Sequence, residues 1–531
     1  MSLIYPSEQT KTSHSVASAL PNISAEVCEE LGLSRIFSLK NSDIRYFFTC
    51  DREVIEYRQE ALTDIMNISE LSETLNRALP ILFDITELRR LDNSRALSAG
   101  DSYLYSITEI ELYVSCVDTL YEGLSSVSDR LKSRAFVHFC EVITELAQSS
   151  YYKELNEKLS ALASRVHEVK SITVGVNLDA QLRPYEAGVI SINAENFKSG
   201  KMLDKILRMS FKNDSMTCIA PLLPFGKGQS DNRKEALIGA FNSAVEEVFR
   251  SSVRAWRTIV DEYVLDNTDF LLKILPEIEF VTKAGELMRS LKNKNCPLCI
   301  PEILPMSEKC FEAKGLYNPD VAMQIDDDIV DNDFAFDDNG RFFVLTGPNR
   351  GGKSVITCAL GIAQAMVQLG LYLPAVSAKI SPVDAIFTHF PDGADTTIDK
   401  GRLGEECARL HEIFTSVSEH SLVLLDESLS STGSYEASYI AAEMLAGLGV
   451  CGCRGIFSTH LHELAAAIDS INERSLSEGG IRIDTLVAGI EEGKRSFKIT
   501  RAKPDGKSYA RDIAEKYGLS FDEIKRTVTK N

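Results

Sequence analysis

The feature that most constrains this chain is the eight-residue stretch Gly347–Ser354, which reads Gly-Pro-Asn-Arg-Gly-Gly-Lys-Ser. It fits the pattern Gly-x-x-x-x-Gly-Lys-Ser/Thr of a phosphate-binding loop. The apolar run Phe342–Leu345 precedes it and predicts a buried strand. Apolar residues at helical spacing follow it: Ile356, Leu360, Ala363 and Val367. A strand, a glycine loop and a helix in this order predict a C-terminal α/β domain with a P-loop.

Each residue type in the loop has a physical role. Glycines let backbone N–H groups turn toward an anion, and the start of the following helix adds a favourable dipole. Lys353 is expected to hold the β- and γ-phosphates, and Ser354 to ligate Mg²⁺. The predicted phosphate-binding residues are Gly347, Pro348, Asn349, Arg350, Gly351, Gly352, Lys353 and Ser354.

A second motif lies about 70 residues after the loop. The stretch Ser421–Glu427 is an apolar run that ends in two acids and predicts a strand. In an open α/β sheet, sites form at the carboxyl ends of the strands. Asp426 is therefore expected to belong to the Mg²⁺ shell, and Glu427 to polarise the attacking water as a catalytic residue.

A third predicted strand, Gly455–His460, ends in a histidine. A histidine at the end of a strand in such a sheet is placed to sense a γ-phosphate, although an isolated histidine is also typical of a structural role. His460 is the preferred candidate, together with Lys353 and Glu427 as the catalytic group. His462 is a second candidate with a less suitable spacing from the strand.

Length and charge limit the function classes. A chain of 531 residues exceeds a single core, so two to four domains are expected. The formal net charge is −20, whereas a freely diffusing duplex binder usually has a basic face. Residues 198–234 are locally basic, with eight Lys or Arg against three acids. They are the best candidate for contact with a phosphate backbone, and an ordinary solvated face explains them equally well.

Cysteines and apolar runs bear on location. No apolar run approaches transmembrane length and no secretion signal is visible, so a cytoplasmic protein without a membrane partner is expected. The twelve cysteines are scattered, as is typical of reduced thiols. Cys296 and Cys299, with Cys310 further on, resemble half a zinc site. No second Cys or His pair completes it, which favours inert thiols.

The periodicity of apolar residues predicts a multidomain protein. Residues 1–43 form a loosely ordered lead-in, and residues 44–320 a helical region whose last part, 296–320, is a Pro-rich irregular junction. Alternating residues between Ile172 and Ile192 predict a β-hairpin, which opens a small β-containing insert over about 171–234. Residues 321–531 form the nucleotide-binding domain.

Within the helical region, two apolar stripes predict long packed helices. The first comprises Leu104, Ile107, Ile110, Val114, Val117 and Leu120, and the second Leu155, Leu159, Leu162, Val166 and Val169. Helical periodicity also runs from Phe241 through Trp256 to about Leu291. Packing in a helical core accounts for these apolar stripes, so no binding role is assigned to them.

Together these motifs resemble the ATPase domain of the MutS family, which belongs to the wider ABC-type ATPases. The stretches that carry the resemblance are Thr346–Ser354, Tyr372–Ala375, Ile386–Thr388, Leu424–Glu427, Ser431–Tyr435, Ser458–Leu464, Lys507–Ala510 and Ile513–Ala514. The resemblance covers about 321–520. The helical region with its insert is similar in layout to the MutS lever and clamp domains.

The resemblance implies ATP and Mg²⁺ as cofactors and DNA as a partner. It assigns Asp426 and Glu427 to the metal and the water, His460 to a switch role, and Ser430–Ser434 to a loop that crosses to a partner subunit. A homodimer with two composite sites is implied, in which ATP binding and hydrolysis drive clamping on DNA in mismatch repair or related processing. RNA or a ribonucleoprotein is the alternative partner, since the chain is acidic. A non-hydrolysing scaffold is a third possibility, which the intact Lys353, Asp426 and Glu427 argue against.

The sequence also departs from the family. Gly401–Glu406 stands where MutS proteins carry a signature loop, so the contact in trans is assigned to Arg402 or to the backbone at Gly404. Ile329 stands at the position of a base-stacking aromatic residue, and Arg482 at that of a later His.

The usual N-terminal mismatch-reading domain, with its Phe-x-Glu wedge, is not expected. Phe139–Glu141 has the letters of the wedge but lies in a helical stretch. Aromatic wedges kink mismatched duplexes, so mismatch recognition of the usual kind is not expected either.

Overall fold

A computed structural model of the chain describes residues 1–17, 23–40, 42–94, 99–167, 171–181, 184–193, 220–222, 268–326, 328–337, 340–348, 350–390, 402–461, 463–464, 467–491, 494–503 and 518–528. The chain divides into two compact units. The first unit comprises Met1–Asn67, Lys132–Phe136 and Glu279–Asn531, and the second comprises Ile68–Leu131 and Val137–Ile278. The domain boundaries expected near residues 43 and 320 stay a prediction.

The α-helices of the described residues are, in chain order, α1 (Glu8–Ala17), α2 (Ala25–Glu30), α3 (Leu33–Ile36), α4 (Arg52–Asn67), α5 (Ser69–Ser94), α6 (Ala99–Ser125), α7 (Arg134–Gln148), α8 (Ser150–His167), α9 (Thr268–Asn293), α10 (Pro319–Gln324), α11 (Lys353–Leu369), α12 (Arg402–Ser416), α13 (Ser434–Cys451), α14 (Ile468–Ser477) and α15 (Phe521–Val528). Short 3₁₀ turns lie at Ile44–Phe47 and Met306–Glu308. None of these helices has the length and apolar character that crossing a bilayer requires.

The strands of the described residues are β1 (Ser171–Leu178), β2 (Pro184–Asn193), β3 (Ala220–Leu222), β4 (Glu302–Ile303), β5 (Phe311–Leu316), β6 (Asn332–Phe336), β7 (Phe342–Thr346), β8 (Ser377–Ile380), β9 (Ile386–His389), β10 (Leu422–Asp426), β11 (Arg454–Ser458), β12 (Ile483–Glu491) and β13 (Lys494–Arg501). They form three sheets. The expected mixed architecture of helices and sheets is confirmed.

The second unit contains the predicted helical core. In α6, the stripe residues Ile110, Val114, Val117 and Leu120 are buried, and in α8 so are Leu155 and Leu159. Phe139 is fully buried within α7, so its ring is not available as a wedge. The stretch predicted to be helical from Phe241 through Trp256 lies outside the described residues as far as residue 267, and α9 begins at Thr268.

The predicted β-hairpin is confirmed. Strands β1 and β2 pair antiparallel, with Ile172 opposite Ile192 and Gly175 opposite Gly188. A third strand, β3, adds to β2 and was not predicted, because three residues are too few to show a period. The locally basic segment 198–234 lies outside the described residues except for β3.

The central sheet of the first unit has the strand order β13-β12-β7-β11-β10-β9. All its neighbours pair parallel except β12 and β13, which are antiparallel. Strands β7, β10 and β11 are buried along their whole length, which explains the nearly continuous apolar runs of β7 and β10, whereas β11 begins with the buried Arg454. The three strands predicted around the candidate site are therefore confirmed, and their carboxyl ends lie at one edge.

A second sheet of the first unit has the order β4-β8-β5-β6. Two of its strands, β4 and β5, lie in the stretch predicted to be an irregular junction, so that prediction was wrong. Burial alternates along the start of β5, where Phe311 and Ala313 are buried and Glu312 and Lys314 are exposed. The strand is only six residues long and follows several prolines, which hid its period.

The expectation of a loosely ordered lead-in was also wrong for the first residues. Leu3 and Ile4 are buried. The hydroxyl of Tyr57 donates to the carbonyl oxygen of Ser2 at 3.0 Å, and Nε of the buried Arg58 donates to that of Ile4 at 3.1 Å. Helix α4 therefore holds this segment through hydrogen bonds that no local pattern reveals.

Candidate active site

The glycine loop connects β7 to α11 in a conformation that turns its backbone repeatedly. Gly347, Arg350 and Gly352 have positive φ angles of 146°, 60° and 92°. At Gly347 a Cβ atom would lie 2.7 Å from the Cβ of Ala488, so this position requires glycine. Asn349 lies outside the described residues. A loop of this shape before a helix N-terminus is suited to holding an anion.

Lys353 is the first residue of α11 and only 4% exposed. Its Nζ donates to the carbonyl oxygens of Gly347 at 3.2 Å and Pro348 at 3.3 Å. Burial lowers the pKa of this amine, and the nearby carboxylates of Glu427 and Asp426 partly oppose that shift. A buried ammonium group at a turned loop needs an anionic partner, and a phosphate fits that need.

Asp426 is the last residue of β10 and is buried. Burial raises the pKa of its carboxyl group, while the nearby hydroxyl of Ser354 and the positive charge of Lys353 lower it. Within the described part of the chain, its Oδ1 atom has no hydrogen-bond partner.

A buried carboxylate oxygen without a partner, beside the Ser354 hydroxyl, is a donor set for a hard cation. Protein sites for Mg²⁺ commonly supply one or two carboxylates and leave other positions to water and substrate phosphates. Asp426 and Ser354 therefore fit the predicted ion. The described residues hold no group of three or more His, Cys, Asp or Glu that could form a metal site by itself.

Glu427 follows Asp426 in a left-handed conformation, with a φ of 49°. Its backbone N–H donates to the carbonyl oxygen of Ser458 at 2.8 Å. Its Oε1 lies 2.6 Å from Nε2 of His460, which in turn lies 3.5 Å from Nζ of Lys353. Left-handed non-glycine residues cost on the order of 1–3 kcal/mol and cluster at functional sites. The structure thus brings together the three residues predicted to be catalytic, which come from α11, the end of β10 and the end of β11.

A cavity of about 480 Å³ adjoins the loop. Its lining contains a polar set, here called the charged end, of Arg350, Gly351, Gly352, Lys353, Ser354 and Glu427, and a mostly apolar set, here called the apolar end, of Leu316, Tyr317, Val321, Ile325, Ile329, Val330 and Phe497. Asn318, Asp328 and Asn332 also line it. Residues suited to binding phosphates and apolar residues therefore line the same cavity. Such a cavity suits a ligand with a charged tail and a flat, poorly charged body.

One residue of the apolar end was predicted from the sequence, and another was not. Ile329 lines the cavity, at the position compared with a base-stacking aromatic residue. Arg482 does not line it, whereas Phe497 of β13 does. Phe497 has a φ of 57°, which the sequence does not signal because bulky residues rarely adopt this conformation.

The loop after Glu427 is held by α12 and β9. Hydrogen bonds from the Ser431 hydroxyl and from the Leu429 backbone reach the carboxyl group of Glu406, whose pKa is raised by burial. The hydroxyl of Ser428 lies 2.8 Å from Nδ1 of His389. These contacts fix the start of the segment Ser430–Ser434.

The stretch compared with the signature loop is only partly described. Arg402 begins α12 and Gly404 lies inside it. Residues 391–401 lie outside the described residues, as do Lys507–Ala510 and His462. The contacts assigned in trans to Arg402 and Gly404 stay predictions.

The cysteines of the possible half zinc site are Cys296, Cys299 and Cys310. Burial raises the pKa of each thiol, to about 11 for Cys299. Burial disfavours the ionised form of these thiols, and a zinc ligand must be a thiolate.

Comparisons with known proteins agree with the resemblance noted from the motifs. The family model described as MutS domain V matches residues 343–521, which include the glycine loop and the strands that carry Asp426 and His460. The model described as MutS2 N-terminal domain matches residues 50–293. The two matches lie in order along most of the chain.

Individual relatives point the same way. The DNA mismatch repair protein MutS of Clostridium kluyveri is 25% identical over 516 residues, which cover 90% of this chain and 55% of that protein. The endonuclease MutS2 of Thermus thermophilus is 30% identical over 199 residues, covering 38% of this chain and 26% of that protein. The MutS of Prochlorococcus marinus is 35% identical over 172 residues, covering 32% and 19%.

The chain spans about half the length of the Clostridium protein and a smaller part of the other two. Even so, the two family models together span the helical region and the nucleotide-binding region, and the Clostridium match covers 90% of the chain. The chain belongs to the MutS family.

Proposed function

We propose that this chain is a Mg²⁺-dependent ATP hydrolase whose cycle of binding and hydrolysis is coupled to DNA, in mismatch repair or related processing of DNA structure. The observation that carries the proposal is that Asp426 and His460 lie beside Lys353 and Glu427, which line one cavity together with the glycine loop. A cation, a metal-binding carboxylate and a water-activating carboxylate are the groups that phosphoryl transfer to water needs.

At the charged end, the loop N–H groups and Nζ of Lys353 bind the phosphates. Ser354 and Asp426 would hold Mg²⁺, which when bound neutralises charge on the phosphate oxygens. Glu427 accepts the proton of the attacking water at its carboxylate. His460 orients that carboxylate and senses the γ-phosphate, a role that its distance of 3.5 Å from Nζ of Lys353 supports.

At the apolar end, the base of ATP lies between Ile329 and Phe497. Both side chains line the cavity beside the loop. An aromatic ring against a base contributes about 1–3 kcal/mol by analogy with nucleic-acid stacking, and it does not depend on which base is present. The proposal therefore predicts preference for a nucleoside triphosphate over a bare phosphate chain.

The acting species is proposed to be a homodimer, in which Ser430–Ser434 reaches the partner's ATP. Helix α13 begins in this segment and presents Tyr435 and Tyr439, which are 81% and 65% exposed. They are four residues apart and so lie on one face of the helix, and tyrosine is enriched in protein interfaces. Light scattering of the Tyr435→Ala/Tyr439→Ala variant with ATP should give a smaller mass than the wild type. An unchanged mass would remove this face from the interface.

The partner DNA is proposed from the family. The Clostridium relative carries the name DNA mismatch repair protein, and its match extends through the helical region. That region includes the β1–β2 hairpin, the basic segment 198–234 and the helices that the resemblance compares with a clamp and a lever.

The test is the ATPase rate of the wild type with homoduplex, mismatched duplex, junction, single-stranded DNA and RNA. We expect one class of DNA to raise the rate, and the salt dependence of its binding to reveal phosphate contacts. Stimulation by RNA alone would replace the DNA proposal with the ribonucleoprotein alternative. Absence of turnover with every ligand would overturn the hydrolase and favour a scaffold.

A further inference from the structure

The antiparallel pair β12 and β13 contains a large bulge beside the cavity. Ala488 pairs with Ile499 and Ile490 pairs with Arg495, so Gly489 alone stands opposite residues 496–498. A Cβ atom on Gly489 would lie 2.7 Å from Oγ of Ser496 and 3.1 Å from the carbonyl oxygen of Lys498. The bulge therefore folds tightly against this glycine. Bulges commonly re-aim a side chain next to a site.

The side chain that this bulge presents is that of Phe497. It has the left-handed φ of 57°, its ring is 44% exposed, and it lines the apolar end of the cavity. A bulky residue keeps such a backbone conformation only when surrounding contacts determine it. The ladder cannot supply those contacts here, because the bulge takes residues 496–498 out of the pairing with β12.

The side chain of Asn332 supplies the contacts that determine the backbone conformation of Phe497. It is 7% exposed at the start of β6, in the other sheet of the first unit. Its Oδ1 accepts from the backbone N–H of Ile499 at 2.7 Å, and its Nδ2 donates to the carbonyl oxygen of Phe497 at 3.3 Å. One amide thus bonds to the middle of the bulge, at Phe497, and to the first paired residue after it, at Ile499. Only a side chain with both a donor and an acceptor can do this.

We propose that Asn332 is the positioning residue that holds Phe497 over the nucleobase end of the cavity, and so determines how strongly the site prefers a nucleoside triphosphate to a bare triphosphate. The inference rests on the proposed nucleotide site. It concerns the apolar end, because the amide of Asn332, which also lines the cavity, bonds to the bulge that carries Phe497.

The test compares dissociation constants for Mg·ATP and for Mg·tripolyphosphate, which lacks a base and ribose. Asn332→Asp keeps the shape and the acceptor but places an oxygen against the carbonyl of Phe497. We expect ATP to bind about five- to tenfold more weakly, as for loss of an aromatic contact, and tripolyphosphate to bind within about twofold of the wild type. In a Phe497→Ala background the same substitution should have no further effect on ATP.

Two further variants separate positioning from general destabilisation. Gly489→Ala crowds the bulge from the opposite side and should produce the same selective loss. Lys498→Ala removes the contacts of Nζ with Asp331, at 2.7 Å to its carbonyl oxygen and 2.6 Å to Oδ1, next to the same bulge. It is the matched control and should leave both ligands unaffected, because the pair is exposed.

The outcomes are distinct. Equal weakening of both ligands by Asn332→Asp, no weakening of either, or full additivity with Phe497→Ala would each overturn the role of Asn332. If the wild type bound neither ligand, the proposed nucleotide site itself would fail. If Asn332→Asp proved unstable in a thermal melt, Gly489→Ala would carry the test, and its failure to weaken ATP selectively would overturn the inference.

Discussion

The charged and apolar ends of the cavity are built in different ways. The charged end consists of one continuous loop and the ends of two adjacent strands, β10 and β11, so its residues are close in sequence or fixed by parallel pairing. The apolar end brings together Ile329, Asn332 and Phe497 through contacts between two sheets. Residues of the charged end can be predicted from the sequence, because local loop geometry and parallel strand pairing determine where they lie. Residues of the apolar end cannot, because contacts between distant parts of the chain bring them together.

The two ends also differ in charge. At the charged end, burial lowers the pKa of Lys353 and raises that of Asp426, which means that burial destabilises the ionised form of each side chain. At the other end the ring of Phe497 and the side chain of Ile329 carry no charge. Binding of the phosphates should therefore dominate affinity, while the apolar end should set selectivity among phosphate-bearing ligands.

Among the variants that compare the two ends, Lys353→Ala is expected to have the largest effect on ligand affinity. Loss of the buried ammonium should weaken Mg·ATP and Mg·tripolyphosphate alike, by about 100-fold or more, because a charged contact is lost to both. Titration calorimetry with each ligand measures this. Lys379→Ala is a control, since that side chain is about half exposed in a surface pair with Glu302. A Lys353 variant with unchanged affinities would break the comparison.

A smaller and selective effect is expected for Phe497→Ala. ATP should bind about tenfold more weakly and tripolyphosphate equally well, because only the base contacts the ring. Competition between the two ligands for the same protein sample gives the ratio directly. Phe521→Ala, at a 77% exposed ring of α15, should change neither value. Equal loss of both ligands on removing the Phe497 ring would mean that the apolar end is not separate.

The smallest effect is on stability. Asp426→Asn should raise the melting temperature of the ligand-free, chelator-treated protein by about 2 °C, since it removes a buried charge with an unpartnered oxygen. Because the folded pKa of Asp426 is raised, its stability penalty is present above that pKa and is lost as the pH falls through it. The gain from the variant should therefore shrink in acid. Asp469→Asn, at an exposed surface pair, is the control.

Much of the fold around the charged end was predictable. The strands β7 and β10 are buried apolar runs ending in polar residues, and β11 has the apolar pair Ile456 and Phe457 before its final serine. In the second unit, the hairpin of β1 and β2 alternates with period two. Such patterns are local, so a single sequence displays them.

The remaining elements depend on distant partners. The segment around Leu3 is held by hydrogen bonds to Tyr57 and the buried Arg58, and the short strand β5 has β6 and β8 as neighbours. The conformation of Phe497 depends on an amide more than 160 residues away in sequence. None of these contacts leaves a period or a motif in the segment that it organises.

In the proposed function, the charged end hydrolyses ATP with Glu427 as the group that activates water. The most direct test is single-turnover hydrolysis of bound ATP by the wild type and by Glu427→Gln, with binding measured on the same samples. We expect unchanged ATP binding in the variant and hydrolysis slower by about 100-fold or more. Equal rates of hydrolysis in the two proteins would contradict it.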